Sequence, residues 1–179
     1  MFLTIVLIIA AVIAAVLLAA VFRAPEFRVV RSTTIAAVPA VVFAQVNDFR
    51  LWRGWSPWER IDPALKRDYA GSPAGCGATY AWEGNRDVGT GRMTIVDNRE
   101  PAHIGIKLEF LKPMPGVCRA EFQFEPQGAA TTVTWSMAGT SNFICRVFSL
   151  FMSPDKMIGT QFEKGLSQLK VVSEKASRN

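Results

Sequence analysis

Residues 103–138 read HIGIKLEFLKPMPGVCRAEFQFEPQGAATTVTWSMA, and apolar and polar residues alternate along this stretch in three runs. Ile104, Ile106, Leu108 and Phe110 share one face of the first run, Ala120, Phe122 and Phe124 one face of the second, and Val133, Trp135 and Met137 one face of the third. A period of two marks a half-buried strand, because successive side chains of an extended chain point to opposite sides. Residues 113–116 and the Gly128-Ala129 pair interrupt the runs with turn-forming chemistry. Connections this short join antiparallel neighbours, so the stretch predicts a meander with one apolar face and one solvated face.

Working upstream, residues 89–97, 78–82 and 66–70 read as further strands separated by Gly, Pro and Asn turns, and 27–36 is a strand rich in β-branched residues. Residues 40–46 form a short helix behind Pro39, with Val42, Phe43 and Val46 on one face, and 49–54 form a second. Downstream the period changes. Residues 143–152 predict a short apolar helix. Ser153 then caps a long helix with Pro154 in its first turn, and Met157, Ile158, Phe162, Leu166, Leu169 and Val172 recur at helical spacing up to Glu174. The expected class is α+β. The long C-terminal helix is the large apolar face available to cover the sheet, and a ligand would sit in the space between them.

The N-terminus is a different kind of segment. Residues 2–22 carry no charge and one polar side chain, Thr4. At about 1.5 Å per residue such a helix is roughly 31 Å long, matching a hydrocarbon core of about 30 Å. A cleaved signal peptide is the rival reading, but no Lys or Arg precedes the run and Phe22-Arg23-Ala24-Pro25 is a poor cleavage site. The expected organisation is a membrane anchor over 1–22, a linker over 23–26, one domain over 27–175 and a disordered tail over 176–179. Arg23, Arg28 and Arg31 follow the anchor. By the positive-inside rule they place the domain in the cytoplasm, at the inner (plasma) membrane.

Composition excludes several functions. The net charge of +5 comes from scattered Lys and Arg, without the basic stripe that nucleic-acid binding needs. The lone histidine, His103, lies at the start of a strand and reads as an edge or surface residue, so neither a His-based nucleophilic device nor a His metal set is expected. Cys76, Cys118 and Cys145 are odd in number and lack C-x-x-C spacing. They read as small buried apolar residues, and no cofactor is implied. Gly84, Gly89 and Gly91 follow a strand with no helix after them, which fits turns and bulges rather than a phosphate loop.

Several runs resemble the START-like (SRPBCC) superfamily of polyketide cyclase/dehydrase and lipid-transport proteins, in its membrane-anchored bacterial branch. They are Asp48-Phe49 with Trp52, Trp55-Ser56-Pro57-Trp58-Glu59, residues 75–82, Asn85 with 88–93, and Asp155 to Gly159 continuing into 162–166. The resemblance implies a helix-grip fold, a curved antiparallel sheet wrapped around the long C-terminal helix, with an apolar cavity between them. Ser153-Pro154 depart from that branch, where an acidic residue or Met is usual. Pro154 is expected to sharpen the helix start and shift the cavity mouth.

The cavity so implied would be lined by Trp55, Trp58, Tyr80, Trp82 and Arg92 from the first half of the domain. Phe110, Phe124, Trp135, Ile158 and Phe162 would line it from the second half. The five tryptophans either fill space between sheet and helix or line the cavity, with Trp55 and Trp58 as a lip toward lipid. Arg92, flanked by Gly91 and Met93, is the polar candidate, pointing inward to pair with Glu83 or Glu59. The remaining acids read as surface or rim residues. Three functions stay open: a membrane-tethered module binding a lipid or apolar small molecule, a cyclase- or dehydratase-like enzyme, and a membrane-proximal interaction module without ligand.

Overall fold

The computed structural model describes residues 2–178. Met1 of the expected anchor, Asn179 of the expected tail and the side chain of Pro154 lie outside the described residues. Helix α1 (Phe2–Val21) precedes strand β1 (Glu26–Ile35), helix α2 (Pro39–Asn47) and two 3-10 turns, Phe49–Gly54 and Pro57–Arg60. Six strands follow: β2 (Lys66–Gly71), β3 (Ala78–Glu83), β4 (Thr90–Arg99), β5 (His103–Lys112), β6 (Gly116–Gln127) and β7 (Ala130–Thr140). Helices α3 (Phe143–Ser149) and α4 (Pro154–Ala176) complete the chain.

Consecutive hairpins pair β2 through β7, and β1 adds to β7, giving one antiparallel sheet ordered β1-β7-β6-β5-β4-β3-β2. The register carries the alternating pattern across the sheet. Ile104, Phe122 and Trp135 form one row, as do Ile106, Ala120 and Met137, and all point to the buried face. Helix α4 crosses that face with Phe162, Leu166 and Leu169 buried. Phe162 stacks on Trp135, with ring centroids 4.0 Å apart and planes 8° from parallel. Gly165 permits this approach, since a Cβ there would sit 2.8 Å from the Trp135 ring.

Arg31 fixes the start of α4 to the sheet edge. Its Nε donates to Glu163 Oε1 at 2.7 Å, and its two terminal nitrogens donate to the Asp155 carboxylate at 2.9 and 3.0 Å. Those bonds raise the Arg31 pKa and hold the Asp155 carboxyl below its usual range. Gly159 leaves the room that the guanidinium occupies. Ser153 caps the helix through its side chain, which accepts from the Lys156 N–H.

Several expectations need correction. His103 is buried, not exposed, because β5 has a neighbour on each side; its Nδ1 lies 3.3 Å from Asp97 Oδ2. Of the cysteines only Cys118 is buried, whereas Cys76 is exposed and Cys145 is half-buried. Met157 is exposed, because the first turn of α4 lies over β1 and only later turns reach the sheet's centre. The apolar helix α3 stops at Ser149, short of 152, and α4 continues through Ala176, where a disordered tail was expected.

Helix α1 is long and apolar enough to cross a membrane. Its side chains are exposed, apart from half-buried Val16, until the last turn, where Ala20 is fully covered. That turn packs on α3. Arg146 donates to the Val21 carbonyl at 3.4 Å and Arg23 to the Ser149 carbonyl at 3.2 Å.

Candidate functional site

Between the concave sheet and α4 lies a cavity of about 190 Å³. One wall is the inward face of the meander: Met93, Leu108, Ala120, Trp135 and Met137. Phe162 and Trp58 close it from the helix side, and Trp52 from the first 3-10 turn. Leu65, Trp82, Asp87, Val88 and Phe110 form the rim, at the end of the sheet where β3 turns into β4. Away from the rim the space is filled by aromatic packing: Trp55 contacts Phe122 at 6.1 Å, and Phe43 meets Phe124 edge-on at 5.4 Å. The cavity is therefore the part of the apolar face that the aromatic cluster does not reach.

Local sequence explains the rim. Trp82 pairs with Gly91 in the β3–β4 register, and Gly91 pairs with Phe110. A Cβ on Gly91 would overlap the Trp82 ring and lie 2.6 Å from the Glu109 carbonyl oxygen, so glycine is what lets the indole lie across the strand. The Trp82 Nε1–H donates to the Val88 carbonyl at 3.3 Å. Buried Asp62 ties the rim together by accepting from the Ala64 N–H at 2.9 Å and the Asn85 N–H at 2.7 Å.

One polar cluster reaches the cavity. Glu59, whose side chain is 5% exposed, accepts from Tyr80 Oη at 2.6 Å and from Arg67 Nε at 2.6 Å. Arg67 also donates to the carbonyls of Leu65 at 2.8 Å and Glu59 at 3.3 Å. Tyr69 stacks on Tyr80 with centroids 5.1 Å apart. Burial, then the hydrogen bond to Glu59, pushes the Tyr80 hydroxyl well above the usual phenol range. The bond to Glu59 raises Arg67 likewise. Glu59 and Tyr80 are thus each other's partners. By contrast, the buried Nε1–H of Trp135 has no hydrogen-bond partner among the described residues.

Of the ten residues expected from sequence, Trp58, Tyr80, Trp82, Phe110, Trp135 and Phe162 border the cavity. Four do not. Arg92 is on the outward face of β4, where it pairs with Glu109 at 2.9 Å and not with Glu83 or Glu59. Strand alternation puts its neighbours Gly91 and Met93 inward and Arg92 outward. Trp55 is buried against Trp52 at 4.6 Å with its Nε1 donating to the Gln45 carbonyl, so it is core and not a lip toward lipid. Phe124 packs on α2, beyond the closed end of the cavity. Ile158, near the start of α4, is half-buried against the core and does not border the cavity.

Sequence reasoning gave Glu59 the wrong partner, Arg92, and omitted Leu108, Ala120 and Met137, which share the inward faces already recognised. The alternation would have found these three. Nothing local signals that Arg67 reaches Glu59, a contact made by folding β2 back beside the second 3-10 turn.

The profile described as polyketide cyclase/dehydrase and lipid transport matches residues 26–174. The chain belongs to that family. Solved structures of other proteins share its fold. A Thermobifida fusca protein is 21% identical, with a TM-score of 0.60 and coverage of 83% of this chain and 93% of that one. A Nitrosospira multiformis protein is 17% identical, with a TM-score of 0.60 over 86% and 100% of the two chains. A Chromobacterium violaceum protein is 14% identical, with a TM-score of 0.59 over 84% and 97%. At these identities the likeness is one of fold. No curated protein matches the chain. Among the described residues no three of His, Cys, Asp and Glu gather in a group that could hold a metal ion.

Proposed function

We propose that this family member binds an apolar small molecule in the cavity under α4, and that α1 tethers the domain to the inner membrane. The observation that carries the reading is a mostly apolar space of about 190 Å³ in which two polar wall groups, Glu59 and Tyr80, are already bonded to each other. An engineered apolar cavity of about 150 Å³ in another protein holds benzene, so the ligand here is on the scale of about one or two rings or a short chain. The unpartnered Trp135 Nε1–H adds a preference for a ligand carrying one acceptor oxygen, since a buried donor without a partner is costly. Arg23 and Arg28 directly after α1 support a cytoplasmic domain.

The test uses the full chain in lipid nanodiscs with 2-acetylnaphthalene as probe and tryptophan fluorescence as readout. Trp52, Trp58, Trp82 and Trp135 border the cavity and report occupancy. The expected result is saturable quenching that is lost in Ala120→Phe, which fills the space. Identical, non-saturating quenching in both proteins would sink the proposal.

A second reading has one observation in its favour: Glu59 and Tyr80 are two ionisable groups in one cavity, the minimum for an acid–base cyclisation or dehydration. Their mutual hydrogen bond and the Arg67 contact commit both to structure, so binding without chemistry is the better-supported function.

A further inference from the structure

We propose that α3 and the β5–β6 hairpin form a second membrane contact, an apolar surface that lies in the headgroup–acyl boundary beside α1 and turns the mouth of the cavity toward the bilayer. The inference rests on the reading of α1 as a membrane helix.

Two independent observations lead to it. The first is the seating of α3. A surface helix should bury its apolar side chains, yet Ile144, Phe148, Phe151 and Met152 of α3 and the residues just after it are exposed. Helix α3 packs on the last turn of α1, through buried Ala20 and the Arg146–Val21 and Arg23–Ser149 hydrogen bonds. If α1 spans the bilayer, its last turn lies at the interface, and α3 lies there with it. An exposed apolar helix at that depth has lipid as its natural cover.

The second observation is the sheet register, which does not involve α1. Glu26 pairs with Thr140, Lys112 with Thr90, Thr90 with Glu83, and Glu83 with Lys66, so all these residues lie at one end of the sheet. That end receives the chain from α1 and sends it into α3. It also carries the β5–β6 turn, with Leu111, Met114 and Val117 exposed, and the cavity rim at Trp82, Val88 and Phe110. The opposite end exposes smaller apolar side chains, Val38 and Val171, and no Phe or Met among the described residues. Exposed apolar side chains, the anchor and the mouth therefore share one pole. Exposed Lys112 and Lys156 stand among the apolar groups, where anionic headgroups would receive them.

The full-length chain with Cys76→Ser and Cys145→Ala leaves only Cys118, whose thiol is buried and pushed to higher pKa by burial. Single cysteines are then added as Phe148→Cys, Phe151→Cys and Met114→Cys, with Ile9→Cys inside α1 and Ala129→Cys at the opposite pole. Each is labelled with an environment-sensitive nitrobenzoxadiazole dye and placed in phosphatidylcholine/phosphatidylglycerol vesicles containing nitroxide-labelled lipid. The side chains replaced by the labelled cysteines are exposed, and Cys145→Ala only trims a half-buried thiol, so folding is not at stake. At 148, 151 and 114 emission should rise roughly twofold, and shallow nitroxide should quench about half of it, as for groups at the headgroup–acyl boundary. Ala129→Cys should show neither effect. Quenching of Ile9→Cys by deep nitroxide with none at 148, 151 and 114 overturns the inference and leaves the tether standing. Raised emission without lipid quenching shows a protein cover, a second copy or a partner, and also overturns it. Absence of quenching at Ile9→Cys overturns the tether and this inference together.

Discussion

Replacing Glu59 by Gln tests whether the cluster at the cavity wall is a structural ion pair. The substitution keeps the side chain's shape and an acceptor for Tyr80, and removes the charge that faces Arg67. In the native protein Glu59 is 5% and Arg67 19% exposed, with 2.6 Å between Oε2 and Nε. Breaking a buried pair costs about 3–5 kcal/mol, because the remaining charge is left uncompensated. Arg67 keeps two carbonyl acceptors and some contact with water, so the expected cost is about 2–3 kcal/mol. At about 2–4 °C per kcal/mol for a domain of this size, Tm should fall by roughly 4–12 °C. The assay is thermal unfolding of the full chain in nanodiscs, followed by tryptophan fluorescence and near-UV circular dichroism. Arg92→Gln is the control. Its bond to Glu109 is on the solvent face, with Arg92 52% exposed, and should be worth less than about 1 kcal/mol. Tyr80→Phe completes a double-mutant cycle with Glu59→Gln, and a coupling above about 0.5 kcal/mol is expected for groups in direct contact. A Tm shift below about 2 °C for Glu59→Gln, or an equal one for Arg92→Gln, would refute this account of the cluster.

Two further outcomes follow from the same geometry. The Tyr80 pKa is raised in the folded state by burial and by Glu59, so both states hold the proton below the ordinary value of about 10 and the contribution to stability is intact there. Above that pH the unfolded chain releases its proton first, and stability falls as pH rises. Denaturant titrations from pH 9 to 11 should therefore show a steeper loss in the wild type than in Tyr80→Phe, and parallel curves would contradict it. Gly91→Ala should force Trp82 out of its seat at a cost of about 1–3 kcal/mol and weaken 2-acetylnaphthalene quenching, measured as above. Unchanged probe binding would show that Trp82 does not shape the mouth.

Much of the fold was legible because it depends on local periodicity. A strand must alternate when one of its faces is buried, so the rows Ile104–Phe122–Trp135 and Ile106–Ala120–Met137 were present in the pattern of residues 103–138 before any pairing was known. The long amphipathic helix and the uncharged run of 2–22 are equally local statements. The site was only half legible for the same reason. Alternation tells which face a residue occupies, and it placed Phe110 and Trp135 inward. It does not tell which inward residues meet a neighbour across the sheet and which meet empty space. Trp55 and Phe124 fell in the filled half, and Tyr80 and Phe162 beside the void.

Arg92 is the instructive failure, since its inward placement contradicted the alternation of its own strand. Its partner Glu109 lies opposite it in the β4–β5 register. The sequence by itself determined the apolar N-terminal helix, the antiparallel meander and the covering helix, because each follows from chemistry repeated within a few residues. Tertiary structure alone decided that Glu59, Arg67 and Tyr80 meet, that Arg31 clasps Asp155 and Glu163 more than 120 positions away, and that α1, α3 and the cavity rim share one pole. Those contacts join segments far apart in the chain, and nothing in the local pattern of either segment encodes the distance to the other.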